Sequence, residues 1–252
     1  MKKFFCCFIA VTALFISTMN AQNIVPNTAS ESLKGTVKSV YTTIRSPKGH
    51  MVSQPISNTY DRNGNLLSVV YYDTTGNPVY SLNYSYDKKG LVTKNTGTLE
   101  PYGEVMLQTT YSYDTKQHTV TSETMGIVDS LNIKIVMQCD KDWRILNETS
   151  YDELDRIINL TKFEYNATGK ISYATNYEGE KGVYKGAEKY RYDTDGFLAE
   201  KCSYYLSTLR QAFLYTYYYD KTGNWTKGFL YHVTPTEGFL YQIISREITY
   251  FD

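Results

Sequence analysis

Histidine is scarce in this 252-residue chain: His50, His118 and His232 are the only three, and they fall at different phases of the repeat described below. No pair has the spacing of metal ligands, and neither His-Glu-x-x-His nor Cys-x-x-Cys occurs. The nucleophile elbow Gly-x-Ser-x-Gly, the phosphate loop and the dinucleotide-binding glycine fingerprint are also missing. Charge of one sign is lacking too. Twenty-six Lys+Arg stand against 26 Asp+Glu, so there is no cationic excess to neutralise nucleic-acid phosphates. With no residue cluster pointing to a reaction, the chain reads as a non-enzyme without metal, cofactor or nucleic acid.

Long apolar runs are limited to one. Lys2 and Lys3 precede an apolar stretch from Phe4 to Ile16, followed by Ser17-Thr18-Met19-Asn20-Ala21. That is the pattern of a secretory signal, read here as residues 1–21 with the cut after Ala21, and the run is shorter than the roughly 18–20 residues of a spanning helix. The mature chain is therefore expected to be exported, to periplasm, cell surface or medium, with no transmembrane segment. Cys6 and Cys7 fall within the signal, leaving Cys139 and Cys202. Two units of the repeat separate them. At about 4.8 Å per strand that is on the order of 19 Å, beyond the roughly 7 Å a disulfide spans.

Tyrosine is what the chain has in excess: 26 residues. Tyr-Asp or a near relative recurs at Tyr60, Tyr86, Tyr113, Cys139, Tyr165, Tyr192 and Tyr219, at intervals of 26 or 27, with a looser step of 31 to Tyr250. A fixed period in that range marks an array of supersecondary units. Each anchor opens an Asp-x-x-Gly turn: Asp61 to Gly64, Asp87 to Gly90, Asp193 to Gly196 and Asp220 to Gly223, with Asn166 to Gly169 as a variant. Asp accepts a local backbone hydrogen bond and Gly takes the left-handed conformation that ends a type I turn with a bulge, which is hairpin chemistry.

Asp73-Thr74-Thr75-Gly76 is an extra copy off register. In the turns that start at Asp114, Asp140 and Asp152, Gln117, Trp143 and Asp155 stand in the glycine position. Trp is strained there, so the Trp143 turn is expected to take another form. The irregular central turns read as drift.

On either side of the turns residues alternate with the period of a strand. Tyr84/Tyr86, Tyr111/Tyr113, Phe163/Tyr165, Tyr190/Tyr192 and Tyr217/Tyr219 pair before a turn. Leu66, Val70 and Tyr72, or Ile171, Tyr173 and Tyr177, or Trp225, Phe229 and Tyr231 follow one. About eight two-strand units give roughly 16 antiparallel strands. Open twisted sheets rarely pass about 10 without curling. The expected fold is all-β: residues 22–33 as a polar lead-in, then residues 34–252 as one strongly curled antiparallel meander, open or partly closed on itself. An outer-membrane barrel is disfavoured, because strands such as that after Gly196 carry Glu200 on one face and Lys201 on the other.

Tyr-x-Tyr-Asp-x-x-Gly, as in Tyr84-Ser85-Tyr86-Asp87-Lys88-Lys89-Gly90, resembles the YD repeats of the RHS family of bacterial surface and toxin-encapsulating proteins. The resemblance covers most of residues 58–252. It implies secretion, an antiparallel sheet spiralling into a shell, and carbohydrate or surface binding. The Arg that usually follows the family's Gly is replaced by Asn65, Leu91, Lys170, Phe197 and Asn224. No Asp-Pro pair of the family's autoproteolytic core is present, and nothing resembles a toxin tail.

Most tyrosines are expected to stack between strands. Runs such as Tyr71-Tyr72, Tyr204-Tyr205 and Tyr217-Tyr218-Tyr219 must place rings on both faces, which makes Tyr71, Tyr205, Tyr218 and Trp225 the candidate ligand contacts. The leading expectation is a non-catalytic exported protein that binds a glycan or cell-envelope ligand through exposed aromatics. A structural or protein-interaction module is the alternative, and a secreted hydrolase comes third.

Overall fold

The computed structural model describes residues 31–126, 132–234 and 236–252; the segment read as a signal peptide and residues 22–30 of the lead-in lie outside them. Sixteen strands follow one another: β1 (Val37–Arg45), β2 (Ile56–Tyr60), β3 (Leu66–Tyr72), β4 (Pro78–Tyr86), β5 (Val92–Leu99), β6 (Glu104–Asp114), β7 (Thr119–Gly126) and β8 (Asn132–Cys139). Then come β9 (Ile145–Tyr151), β10 (Ile157–Tyr165), β11 (Ile171–Glu178), β12 (Val183–Tyr192), β13 (Leu198–Tyr205), β14 (Thr208–Tyr219), β15 (Trp225–Val233) and β16 (Gly238–Tyr250). Each pairs antiparallel with its sequence neighbour, and β1 pairs with β16 from Val37↔Tyr250 to Arg45↔Ile243. The meander is a closed barrel.

This corrects the expectation of a curled single sheet. Two unpaired edges of a 16-stranded sheet would leave rows of backbone donors and acceptors open, and closure removes both edges at once. The first and last strands carry the weakest repeat signal, since β1 has no leading Tyr-Asp and β16 closes the long interval from Tyr219 to Tyr250.

The turns at the 26–27-residue anchors all lie at one end of the barrel and behave as their chemistry requires. Asp61 Oδ1 accepts from the Asn63 and Asn65 amides, Asp87 Oδ1 from Lys89 and Leu91, Asn166 Oδ1 from Thr168 and Lys170, and Asp220 Oδ1 from Thr222 and Asn224. Asp193 Oδ1 takes the Phe197 amide. Gly64, Gly90, Gly169, Gly196 and Gly223 have φ between 79° and 86°. Asp73 to Gly76 is the same turn at the opposite end of the wall.

Trp143 does not change the turn form: it takes φ 60° and donates its amide to the Asp140 carbonyl, as a glycine there does, while its ring meets Tyr113 and His118. Asp155 likewise sits at φ 57°, whereas in the third turn His118 (φ 51°) rather than Gln117 is left-handed.

A bulge follows six of these turns and sets the phase of the wall. Tyr60 pairs with Leu66 and Thr59 with Ser68, so Leu67 is extra. The same step recurs at Tyr86/Val92, Cys139/Ile145, Tyr165/Ile171, Tyr192/Leu198 and Tyr219/Trp225. Leu66, Ile171 and Trp225 therefore point inward while Val70, Tyr72, Tyr173, Tyr177, Phe229 and Tyr231 point outward. The expectation that each trio shares one face is corrected: an extra residue slips the period-two alternation by one.

Tyr60, Leu66, Val92, Val120, Ile145 and Ile171 fill the barrel at the turn end in two apolar clusters. Residues 31–34 lie across that end. Glu31 accepts from the Tyr60 hydroxyl and Asn58 Nδ2 and faces the guanidinium of Arg246. Lys170 donates to Ser32, Asn224 pairs reciprocally with the Lys34 backbone, and Lys34 pairs with Asp195 at 3.0 Å.

Farther from the turns the inward positions become polar and keep partial exposure, among them Glu148, Ser150, Thr161, Asn176 and the Glu188–Lys201 ion pair (2.6 Å).

Outward positions include Ser57, Thr59, Ser68, Asn83, Lys94, Thr96, Thr110, Thr121, Glu123, Lys134, Glu200 and Glu247 among apolar ones such as Tyr41, Val70, Phe229 and Ile243. Charges at mid-wall leave no continuous apolar band of the kind a lipid-facing barrel presents. Cys139 points inward on β8 and Cys202 outward on β13, both as free thiols.

Candidate ligand-binding surface

The outer wall carries polar residues interrupted by ring pairs, Tyr41 with Tyr72 and Tyr218 with Phe229, and by a larger ring cluster where β11, β12 and β13 meet. There the phase set by the bulge after Ile171 turns Tyr173 and Tyr177 outward. A second bulge at Lys185 brings Tyr184 opposite Tyr177. The Tyr177 and Tyr184 rings meet edge to face with centroids 6.0 Å apart, and Tyr184 meets Tyr205 at 6.0 Å in a tilted contact. Aromatic pairs at such separations stabilise one another beyond their buried area.

Tyr173 stands two residues along β11 from Thr175, which faces Ala187, and Ala187 faces Tyr204 on β13. Desolvation, then the Tyr184 hydroxyl, the Glu164 carboxylate and the Tyr177 hydroxyl, raises the Tyr173 pKa above its ordinary value, which places these groups around it. Tyr173, Tyr177, Tyr184 and Tyr204 thus share one outward patch, and Tyr205, next to Tyr204 at the rim end of β13, joins it through Tyr184; none of the five is fully buried. Lys162 Nζ lies 5.4 Å from the Tyr177 ring centroid and Arg210 Cζ 5.5 Å from that of Tyr205, both within cation–π range.

Of the four aromatics singled out in the sequence, the structure places only Tyr205 in this patch, 39% exposed at the end of β13. Tyr218 is 65% exposed but stands on β14 toward the turn end, against Phe229 with Lys227 over the latter's ring. Tyr71 and Trp225 are corrected to the interior, at 7% and 8% exposure. Tyr71 packs on Tyr80 at 5.9 Å, and Trp225 lies between Tyr217 and the Arg246 guanidinium, whose carbon is 3.7 Å from the indole ring. Burial pushes the Tyr71 hydroxyl up to about 12.

Tyr173, Tyr177, Tyr184, Lys162 and Arg210 are the residues that sequence reasoning did not single out. The signal for them was the bulge: counted one position out of step after the turn, Tyr173 and Tyr177 fall on the outer face.

The carboxylates of the Asp193-x-Asp195-Gly196 turn are engaged, Asp193 with the Phe197 amide and the Tyr219 hydroxyl, Asp195 with Lys34. A hollow of about 220 Å³ at the opposite rim, between Glu123, Met125, Lys134 and Asp155, is open and below the roughly 300 Å³ at which small-molecule pockets begin. The tyrosine patch is the better built surface: sugars present apolar faces to rings and hydroxyls to phenols and cations.

No protein-family model matches the chain, and no curated protein does. Among solved structures it is similar to a porin-like protein from Bacteroides uniformis, at 11% identity and TM-score 0.41, over 90% of this chain and 100% of that one. A porin-like protein from Bacteroides vulgatus matches at 12% identity and TM-score 0.37, over 85% and 98%. The Tc holotoxin pore of Photorhabdus luminescens matches at 10% identity and TM-score 0.24, over 76% of this chain and 15% of that chain. Likenesses at these scores carry no argument about what the chain does.

Proposed function

We propose that this chain is an exported, non-catalytic β-repeat barrel of the bacterial envelope that binds a glycan on its outer wall. The observation that carries the reading is the row Tyr177–Tyr184–Tyr205, three rings in contact flanked by Lys162 and Arg210, where Tyr41–Tyr72 and Tyr218–Phe229 elsewhere on the wall are single pairs. Packing alone does not call for outward rings, because the inward tyrosines already fill the turn end. The signal-like first 21 residues support export, to periplasm, surface or medium.

The test is a glycan array probed with the folded full chain and with Tyr184→Ala. Saturable binding to a related set of sugars, lost in Tyr184→Ala but kept in Tyr218→Ala, is the expected result. Binding unchanged by Tyr184→Ala, or none from folded protein, contradicts the reading.

A protein-interaction module is the second reading, favoured by one observation. Val52, Tyr102, Leu154, Val183, Leu206 and Phe239 are exposed, and all stand at the rim opposite the Tyr-Asp turns. Association with an envelope protein that is insensitive to sugar and to Tyr184→Ala is the outcome that supports it.

A further inference from the structure

We infer that the glycan is acidic, a polysaccharide bearing carboxylate or sulfate groups, and that Lys162, Lys189 and Arg210 meet those anions. This rests on the tyrosine patch being a glycan site and names the class of sugar it takes.

The argument is positional. The chain as a whole has a formal net charge of +0, so any local excess comes from placement. Within the patch Glu178 is ion-paired with Lys185, and Glu200 with Arg191 at 2.9 Å. The three remaining cations have no carboxylate within ion-pair distance among the described residues. Lys189 projects outward between Tyr173 on one neighbouring strand and Cys202 on the other. Lys162 and Arg210 reach the rings at the two ends of the row, Tyr177 and Tyr205. Glu164, opposite Tyr173, is the patch's unpaired carboxylate, so the surface keeps an excess of two positive charges.

The rings form one row with a cation at each end, Lys162, Tyr177, Tyr184, Tyr205 and Arg210 in order, and Lys189 stands beside Tyr173. Neighbouring strands are about 4.8 Å apart, and same-face positions along a strand about 6.7 Å. An extended polysaccharide laid across β10 to β14 would stack on the three rings and reach a cation at either end, with Lys189 alongside. A neutral glycan would leave the three cations without an anion; an acidic one gives each a charge-assisted hydrogen bond, stronger than the neutral kind.

The experiment compares binding of the full chain to polygalacturonate, alginate, hyaluronan and chondroitin sulfate with binding to the carboxyl-reduced or desulfated form of each, at low and moderate salt. Heparin serves as a generic polyanion. The expected result is at least one acidic polymer bound about tenfold or more tighter than its neutral form, the worth of one good charged contact. The triple variant Lys162→Gln, Lys189→Gln, Arg210→Gln should bring the two forms within about twofold of each other, with its melting temperature kept because all three side chains are exposed.

Equal affinity for acidic and neutral forms overturns the inference while leaving the glycan reading intact. Binding to no polymer of either series by a chain that also fails on the wider array overturns both. Binding to every polyanion including heparin, unchanged by Tyr184→Ala, overturns the inference by showing attraction of charge alone.

Discussion

The hydroxyl of Tyr86 donates to the carbonyl of Leu66, 2.7 Å away and 20 residues earlier in the chain. The same reach recurs from Tyr113 to Val92 (2.9 Å), Tyr165 to Ile145 (2.7 Å) and Tyr217 to Leu198 (2.6 Å). This gives the Tyr of the repeat its physical role. Three anchors, Tyr86, Tyr113 and Tyr165, tie their hairpin to the first strand residue after the preceding turn, and Tyr217 makes the same tie two residues ahead of its anchor, whereas Tyr60 and Tyr219 donate to Glu31 and Asp193.

Tyr86→Phe keeps the ring and removes the donor, leaving a half-buried carbonyl without its partner. It should cost about 1–3 kcal/mol in urea unfolding. Tyr72→Phe, on the outward side of the same wall, should be within about 0.5 kcal/mol of wild type. Equal effects of the two would contradict the tie.

Gly97 is held by space rather than by backbone conformation. A Cβ there would stand 1.9 Å from the Tyr80 hydroxyl oxygen and 2.9 Å from Leu107 Cγ, so Tyr80 lies directly over it. Gly97→Ala should destabilise by about 1–3 kcal/mol as an overpacked interior site. Tyr80→Leu should recover part of that in the double variant, a non-additive result. A neutral Gly97→Ala would show that Tyr80 does not cover this glycine.

Glu148 faces inward on β9 between Met137 and Thr161. Burial raises its pKa from an ordinary 4.5 to about 7. Because the folded value is the higher one, the stability contributed by the protonated form is fully present below about pH 4.5. It is lost as pH rises through 7, by at most about 3 kcal/mol. Glu148→Gln should therefore be more stable than wild type at pH 8, with the advantage shrinking toward pH 5, as read by urea midpoints at the two pH values. A difference independent of pH would place the carboxylate in water.

Much of the architecture was legible because turns are local. Asp61, Gly64 and their counterparts carry their chemistry within five residues, and the 26–27-residue interval counts hairpins without any knowledge of the fold. The phase of each strand was not legible. It depends on one unpaired residue, such as Leu67 or Ser172, whose side chain looks like any other strand residue, and this single slip moved Tyr71 and Trp225 indoors and Tyr173 and Tyr177 outdoors.

Closure was hidden for a different reason. Pairing of β1 with β16 joins residues some 200 positions apart and leaves no periodic trace. Trp143 shows the limit of propensity, since ring contacts with Tyr113 and His118 hold it in a conformation that glycine usually takes. The binding patch needed all of this, because it is assembled from three strands whose outward faces are known only once every bulge is placed.

The central claim is a barrel closed between its first and last strands and dressed in polar residues outside. Ser39 on β1 and Thr249 on β16 are register partners whose hydroxyl oxygens stand 2.6 Å apart on the outer wall. The decisive measurement is cross-linking of the full chain carrying Ser39→Cys and Thr249→Cys, purified without detergent and oxidised at low concentration. The account predicts a rapid intramolecular disulfide, seen as a reducible mobility shift, in a chain that stays dissolved and melts at a higher temperature. Both introduced thiols left reduced in folded protein, with no mobility shift beyond what the native cysteines give, or a chain that stays dispersed only in detergent, would contradict it.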